Sequence, residues 1–378
     1  MKRITIIGST GSIGRQTLDV VRKNPNKYSV KGLVANSDIN QILAQAKEFN
    51  VEFVALTDDK ANENLKNSSI GCEVLNSTTA LLDCVTSDVD VVVVACSGIN
   101  GLLPTLKALS LGVDVALANK ETLVVGGELV KDTLLKSKAN LFPVDSEHSA
   151  IWQSINSNNK SDISRIIITA SGGAFRDLSY DELKRVTAKE ALKHPNWNMG
   201  KKITVDCATL MNKGLEIIEG AFLFDISPSK IVPVIHTQSI IHSMVEYNDG
   251  AIIAQLGAPS MLVPISYALS YPDRLETGVQ KVDFVKLGSL TFSEPDRKRF
   301  PCLAIAEQVA NENAITRTVM NAANDIVVDA FLNDKISFMK IPEIIEKQLN
   351  SFSGGFSNTL DDILACDKYI REQTLKMI

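Results

Sequence analysis

Along the first 140 residues, short apolar runs alternate with segments whose apolar positions recur every three or four residues. "RITIIGS", "YSVKGLVA" and "VEFVALT" read as strands, and "IGRQTLDVVRKN" and "INQILAQAKEFN" between them read as amphipathic helices. "VDVVVVACS" is continuously apolar and β-branched, the pattern of a strand buried on both faces; helical "LPTLKALSLG" and strand-like "VDVALAN" follow it. Such alternation predicts an α/β fold, with a Rossmann-type, doubly wound parallel sheet over 1–140. Over 141–285 the pattern becomes α+β, with strands at "SRIIITAS", "IVPVIHTQSIIHSMVEYN" and "GAIIAQLG". The stretch 286–300, around the charged, proline-bearing "SEPDRKRFP", reads as a linker. Residues 301–378 have helical periodicity and predict a small C-terminal α-helical bundle.

Composition narrows the function classes. A chain of 378 residues supports two or three domains, and 45% hydrophobic with 22% charged residues suits a soluble globular protein. The formal net charge of -5 leaves no basic excess for neutralising phosphates, so no nucleic-acid partner is expected. No apolar run approaches the roughly 20 residues of a membrane helix, so no membrane partner is expected either. The opening "MKRITIIG" runs straight into a strand with no signal or transit segment, and the six cysteines lack CxxC spacing. Together these predict a cytoplasmic protein with free thiols.

"GSTGSIG" closes the first strand and opens the first helix, with Gly8, Gly11 and Gly14 spaced as a variant of the dinucleotide fingerprint. Glycines let the backbone approach a pyrophosphate, and the helix N-terminus supplies N–H donors and a positive dipole end. Thr10 and Ser12 add hydroxyls. At the end of the second strand, "LVANSDI" places Asn36 and Ser37 where they could donate to a ribose 2′-phosphate. Asp38 lies slightly late for a ribose-binding acid, and these residues alone do not choose between NAD and NADP.

"PVDSEHSAIW" looks like a strand end running into a helix, and in extended chain Asp145 and Glu147 would share a face. "ITVDCATLMNKGLEIIEGAFLF" reads as a strand feeding a helix on which Asn212 and Glu216 share a face beside Lys213. Three carboxylates without cysteine or paired histidines would suit Mg²⁺ or Mn²⁺. Taken alone, the acidic pair and Glu216 each read first as ordinary solvated residues. Between these segments, 170–202 opens with two glycines and closes with "HPNWNMG", the composition of a lid or of a surface hairpin with one anchoring tryptophan.

The ordered strings "GSTGSIG", "ANKE", "PVDSEH", "SGGAF", "HPNWNMG", "DCATLMNKGLE", "IIHSMVE", "PCL" and "NAAND" span the chain. In this set the sequence resembles the 1-deoxy-D-xylulose 5-phosphate reductoisomerases. The resemblance implies an N-terminal NADPH-binding domain, a catalytic domain with a flap at about 171–201, a C-terminal helical domain and a homodimer. It implies metal-dependent rearrangement and NADPH-dependent reduction of that sugar phosphate to 2-C-methyl-D-erythritol 4-phosphate, by a retro-aldol/aldol route or an α-ketol shift. By the same matching, Asp145, Glu147 and Glu216 hold the divalent cation, and Lys120 and Ser146 bind the oxygenated carbons. Ser171, His194, Asn212 and Lys213 line the phosphate end, and Trp197 and Met199 belong to the flap. Thr10, Gly11, Ser12, Ile13, Asn119, Glu121 and Gly200 fall on cofactor positions. The sequence departs from the family at Cys207, commonly a phosphate-binding serine, at Ala174, usually proline, and at Ser37, often lysine or arginine. The competing readings are a semialdehyde dehydrogenase using Cys207 as nucleophile and a non-catalytic NADP-binding regulator.

Overall fold

The computed structural model describes residues 1–378 except 69, 156–157, 194–196 and 198. The chain divides into two compact units, each discontinuous in sequence. One comprises Met1–Thr122, Leu129–Ser149 and Ser260–Val279, and the other Leu123–Glu128, Ala150–Pro259 and Gln280–Ile378.

The first unit is built on a seven-stranded sheet formed by β1 (Lys2–Ile7), β2 (Tyr28–Ala35), β3 (Phe53–Leu56), β4 (Glu73–Val74), β5 (Val91–Val94), β6 (Asp114–Leu117) and β7 (Leu141–Pro143). Its order is β4-β3-β2-β1-β5-β6-β7, and every pairing is parallel. The four valines of β5 are sealed from solvent, as their unbroken apolar run predicts for a strand covered on both faces. The order reverses between β1 and β5, so the carboxyl ends of those strands form the crevice where open α/β sheets take ligands. The segment Ser260–Val279 straps back onto this unit. Its helix Leu262–Ser270 packs against the helix Ser12–Lys23, and Lys2 Nζ donates to the Leu269 carbonyl at 3.0 Å.

The second unit carries a four-stranded sheet of β8 (Ile163–Ala170), β9 (Ile231–Ile235), β10 (Ile241–Tyr247) and β11 (Ile252–Leu256) in the order β11-β10-β8-β9. β8 and β9 run parallel, and β10 is antiparallel to both β8 and β11. The helices Ala314–Leu332, Lys340–Ser351 and Leu360–Leu375 pack on one another as a bundle. Asn313 and Thr359 cap two of them by accepting from the backbone amides of Thr316 and Asp362. Among the described residues, no helix is long and apolar enough to cross a membrane.

Two local expectations fail. The stretch from Ile203 is not a strand: it lies in the helix Lys201–Thr209, which turns through Leu210 (φ 62°) directly into the helix Met211–Phe224. β-Branched Ile203, Thr204 and Val205 lower helix propensity only slightly. Burial of Thr204, Val205 and Ala208 and an i,i+4 pair from Lys202 to Asp206 outweigh that cost. Asp145 and Glu147 also do not share a strand face. β7 stops at Pro143, Asp145 precedes the helix Ser146–Ile155, and Glu147 stands in its first turn, where the helix dipole favours an anion.

Candidate active site

In the first unit, the expected cofactor and metal residues cluster at the carboxyl edge of the sheet. After β1, Gly8 takes φ +90°, and a Cβ there would collide with the Ala95 carbonyl just past β5. Only glycine permits the two strand ends to approach this closely. The following helix has Gly11 at its N-cap with no side-chain cap, so its first amides remain available to an anion. Gln45 Nε2 donates to the Ser9 carbonyl at 3.0 Å and steadies the loop from behind.

At the end of β2, Asp38 does not serve as a ribose acid. Its carboxylate accepts from the Gln41 amide at 3.0 Å and caps the helix Ile39–Phe49. Asn36 Oδ1 accepts from the Thr57 hydroxyl at 3.1 Å, which turns its amide nitrogen away from that contact, and Ser37 is exposed. Beyond β6, Asn119 donates to the carbonyls of Cys96 (2.8 Å) and Gly98 (2.9 Å) and accepts from the Thr122 amide (2.9 Å). That side chain therefore latches the loops after β5 and β6 together. Glu121, also buried, lies 3.3 Å from the same amide nitrogen.

Lys120 Nζ lies 2.6 Å from the Asp145 carboxylate, and both side chains are nearly sealed from solvent. Burial pushes the Asp145 carboxyl upward, but the Lys120 charge, with help from His148 and Glu147, holds it well below the usual carboxylate range. Ser146 donates its hydroxyl to Glu147.

In the second unit, the helix Met211–Phe224 presents Asn212, Lys213 and Glu216 on one buried face. Asn212 Nδ2 donates to Glu216 Oε1 at 2.5 Å, and Lys213 pairs with the other carboxylate oxygen. Cys207 is the half-buried residue in a last helical turn otherwise buried around it. Gly173 (φ +71°) packs so tightly on the backbone of Cys207 and Ala208 that a Cβ would strike the Cys207 carbonyl. The turn carrying Ser171 is therefore seated on the same helix as Cys207. Thr209, beside it, donates its hydroxyl to the Asp206 carbonyl at 3.2 Å.

His194 lies outside the described residues. Trp197 is half-buried with its ring centroid 6.2 Å from that of His242, and Gly200 caps the helix that begins at Lys201. Sequence reasoning missed His242 and Arg176. Burial lowers the His242 pKa to about 4, so the ring is neutral near pH 7. Arg176 Nη1 donates to the Ser171 carbonyl at 3.0 Å, and Arg299 in turn holds the Arg176 and Leu178 carbonyls. With only four histidines in the chain, each merited weight as a candidate; nothing local marks Arg176.

Family profiles match in three consecutive stretches. Residues 4–127 match 1-deoxy-D-xylulose 5-phosphate reductoisomerase, 141–224 its C-terminal domain, and 256–373 a further DXP reductoisomerase C-terminal domain. The enzyme of that name from Thermoanaerobacter pseudethanolicus is 49% identical over 378 residues, covering 100% of this chain and 99% of the relative. The chain belongs to this family. The 1-deoxy-D-xylulose 5-phosphate reductoisomerase of Chlorobium phaeobacteroides is 48% identical, with 100% of both chains covered. A solved DOX-P reductoisomerase in complex with NADPH, fosmidomycin and magnesium superposes with a TM-score of 0.94 at 39% identity, covering 100% of this chain and 98% of that one. The reductoisomerase of Zymomonas mobilis in complex with NADPH gives 0.91 at 41%, with the same coverage.

Proposed function

We infer that this protein converts 1-deoxy-D-xylulose 5-phosphate to 2-C-methyl-D-erythritol 4-phosphate, consuming NADPH and requiring Mg²⁺ or Mn²⁺. The observation that carries this reading is the full-length family match with every expected carboxylate, lysine and asparagine in place. Asp145, Glu147 and Glu216 would hold the cation. An all-oxygen set fits a hard divalent ion, and buried Asp145 and Glu216 already carry ammonium partners, so their sites are tuned for positive charge.

When bound, the cation supplies Lewis acidity to the ketone and its neighbouring hydroxyl, and NADPH supplies the hydride. The chain's own groups bind and orient. Lys120 and Ser146 address the oxygenated carbons, while Ser171, His194, Cys207, Asn212 and Lys213 receive the phosphate. Phosphate binding remote from the reacting carbons drives Trp197 and Met199 down and excludes water. Gly8, Thr10, Gly11, Ser12 and Ile13 would cradle the pyrophosphate at a helix N-terminus, and Asn36 and Ser37 the 2′-phosphate. Asn119, Glu121 and Gly200 would complete the cofactor site.

The same reading assigns NADPH binding to 1–140, catalysis to 141–285 with the flap at about 171–201, linkage to 286–300 and a helical domain to 301–378. A homodimer belongs to it as well. β11 is a sheet edge with Ile252 51% and Ile253 44% exposed, and Val285 is 93% exposed, surfaces that a second copy would cover. A reducing, cytoplasmic setting accords with six free cysteines. The test is NADPH oxidation with 1-deoxy-D-xylulose 5-phosphate, with and without Mn²⁺. Absence of turnover with the metal present rejects the reading.

A further inference from the structure

Behind the helix Lys201–Thr209 lies a chain of alternating charges that the reaction does not use. Lys202 Nζ is 3.1 Å from an Asp206 oxygen on its own helix and 3.1 Å from Asp325 Oδ1 on the helix Ala314–Leu332. The other oxygen of Asp206 accepts from Asn324 Nδ2 at 2.8 Å. The second oxygen of Asp325 meets Arg371 Nη2 at 2.5 Å, and Arg371 Nε meets Asp367 at 2.6 Å, both on the C-terminal helix Leu360–Leu375. The side chain of Asp206 is 3% exposed and that of Asp325 14%, while Lys202 and Arg371 reach partly into water.

The helix so anchored is a junction. Gly200 is its cap and Trp197 precedes it, so it receives the end of the flap. It carries Cys207, seats the Ser171 turn through Gly173, and passes through Leu210 into the helix of Asn212, Lys213 and Glu216. A shift of this one helix would displace every described group assigned to the substrate phosphate.

We propose that Lys202, Asp206, Asp325 and Arg371 are positioning residues that tie the C-terminal helix to the flap and phosphate end of the active site. The physical reason is that a fixed helix holds the groups that receive the phosphate in one arrangement, which lowers the ordering cost that substrate binding must offset. Burial pushes the Asp206 carboxyl upward while Lys202 and Asn324 draw it back, so loss of one cation leaves a poorly solvated acid that moves to find a new partner. Of the groups assigned to the cofactor only Gly200 adjoins this helix, so the substrate constant should respond more than the NADPH constant.

The proposal rests on the activity inferred above, and its test separates the two. Asp325→Asn, which keeps the shape, and Arg371→Met should each raise KM for 1-deoxy-D-xylulose 5-phosphate about five- to tenfold, leaving KM for NADPH within twofold. Arg371→Lys should recover most of the loss. Unchanged substrate KM, or an equal rise in both constants, overturns the proposal, since a merely structural defect would lower melting temperature without that split. If Arg371→Met fails to fold, Asp325→Asn alone decides. Should the unmodified protein show no turnover, the functional reading falls. Acrylamide quenching of Trp197, in a Trp152→Phe background, then decides this one: Asp325→Asn should increase quenching at least about twofold, and equal quenching rejects the network's hold on the flap.

Discussion

The ammonium of Lys120 sits 2.6 Å from the carboxylate of Asp145, with side chains only 8% and 10% exposed. A buried pair of this kind costs roughly 3–5 kcal/mol when one partner is removed, because the other charge is left uncompensated. Lys120→Met should therefore lower the melting temperature of the metal-free protein. A divalent cation on Asp145 replaces the missing charge, so Mg²⁺ should raise the melting temperature of the variant more than that of the parent. Thermal denaturation in chelator and in excess Mg²⁺ measures this; equal increments would remove Asp145 from the cation's ligands.

Glu216→Gln preserves shape and the Asn212 contact geometry while deleting a charge. Mn²⁺ binding followed by EPR should weaken by at least about tenfold, and turnover should fall with it. Chelation should abolish turnover of the parent protein, and Mg²⁺ or Mn²⁺ should restore it. Undiminished Mn²⁺ affinity in the glutamine variant contradicts the assignment.

At Cys207 a thiol stands where the family resemblance leads to the expectation of a serine hydroxyl. A thiol is a weak donor to a phosphate dianion, and hydrogen bonds to charged groups are worth about 1.5–3 kcal/mol. Thr209 offers no easy substitute, since its hydroxyl already donates to the Asp206 carbonyl. Allowing for water, Cys207→Ser should gain about 1 kcal/mol, a roughly fivefold lower substrate KM. NADPH and metal constants should stay fixed. A steady-state comparison at saturating cofactor showing an unchanged or higher substrate KM would take Cys207 out of the phosphate site.

In the proposed cofactor site, the end of β2 would offer the 2′-phosphate two neutral side chains, Asn36 and Ser37, while Asp38 is occupied as a helix cap. NADPH should be preferred over NADH, and Ser37→Arg should widen the preference by about tenfold through a charge-assisted contact. Equal kcat/KM for both cofactors in the parent would refute the assignment.

His242 gives the pH dependence of stability a definite direction. Its pKa is about 4 in the fold against 6.5 in the unfolded chain, mainly because burial disfavours the charged ring. Its contribution is complete above pH 6.5 and declines as the unfolded chain takes up a proton that the fold refuses, until pH 4. By linkage the loss is about 2 kcal/mol at pH 5. Urea unfolding at pH 7 and pH 5 should show a smaller drop for His242→Asn than for the parent, by about that amount. Identical drops would place the acid sensitivity elsewhere.

What was legible in the sequence was local. The valines of β5 announce a doubly covered strand, and the glycines at 8, 11 and 14 announce a tight strand-to-helix turn, because each pattern is decided by neighbouring residues. The Asp38 cap went unread, although an acid three residues before Gln41 at a helix start carries that signal. "ITVDCATL" misled because its β-branched residues favour a strand in isolation, whereas the burial of Thr204, Val205 and Ala208 that outweighs them is tertiary, as is the Asn324 contact to Asp206. The nearness of His242 to Trp197 and the grip of Arg176 on Ser171 depend likewise on tertiary packing, which no spacing rule encodes.

The strap Ser260–Val279 has a consequence for how the protein is made. Lys2 awaits a partner 267 residues downstream, and the helix Ser12–Lys23 awaits the helix that covers it. At roughly 5–20 residues per second, a ribosome needs about 13–50 s to deliver that strap. Meanwhile the nascent parallel sheet stands with an apolar flank uncovered, the situation in which chains recruit chaperones or aggregate. Overproduction should therefore be limited by the period before residue 279 emerges, and slower synthesis at low temperature lengthens that period even as it weakens hydrophobic association.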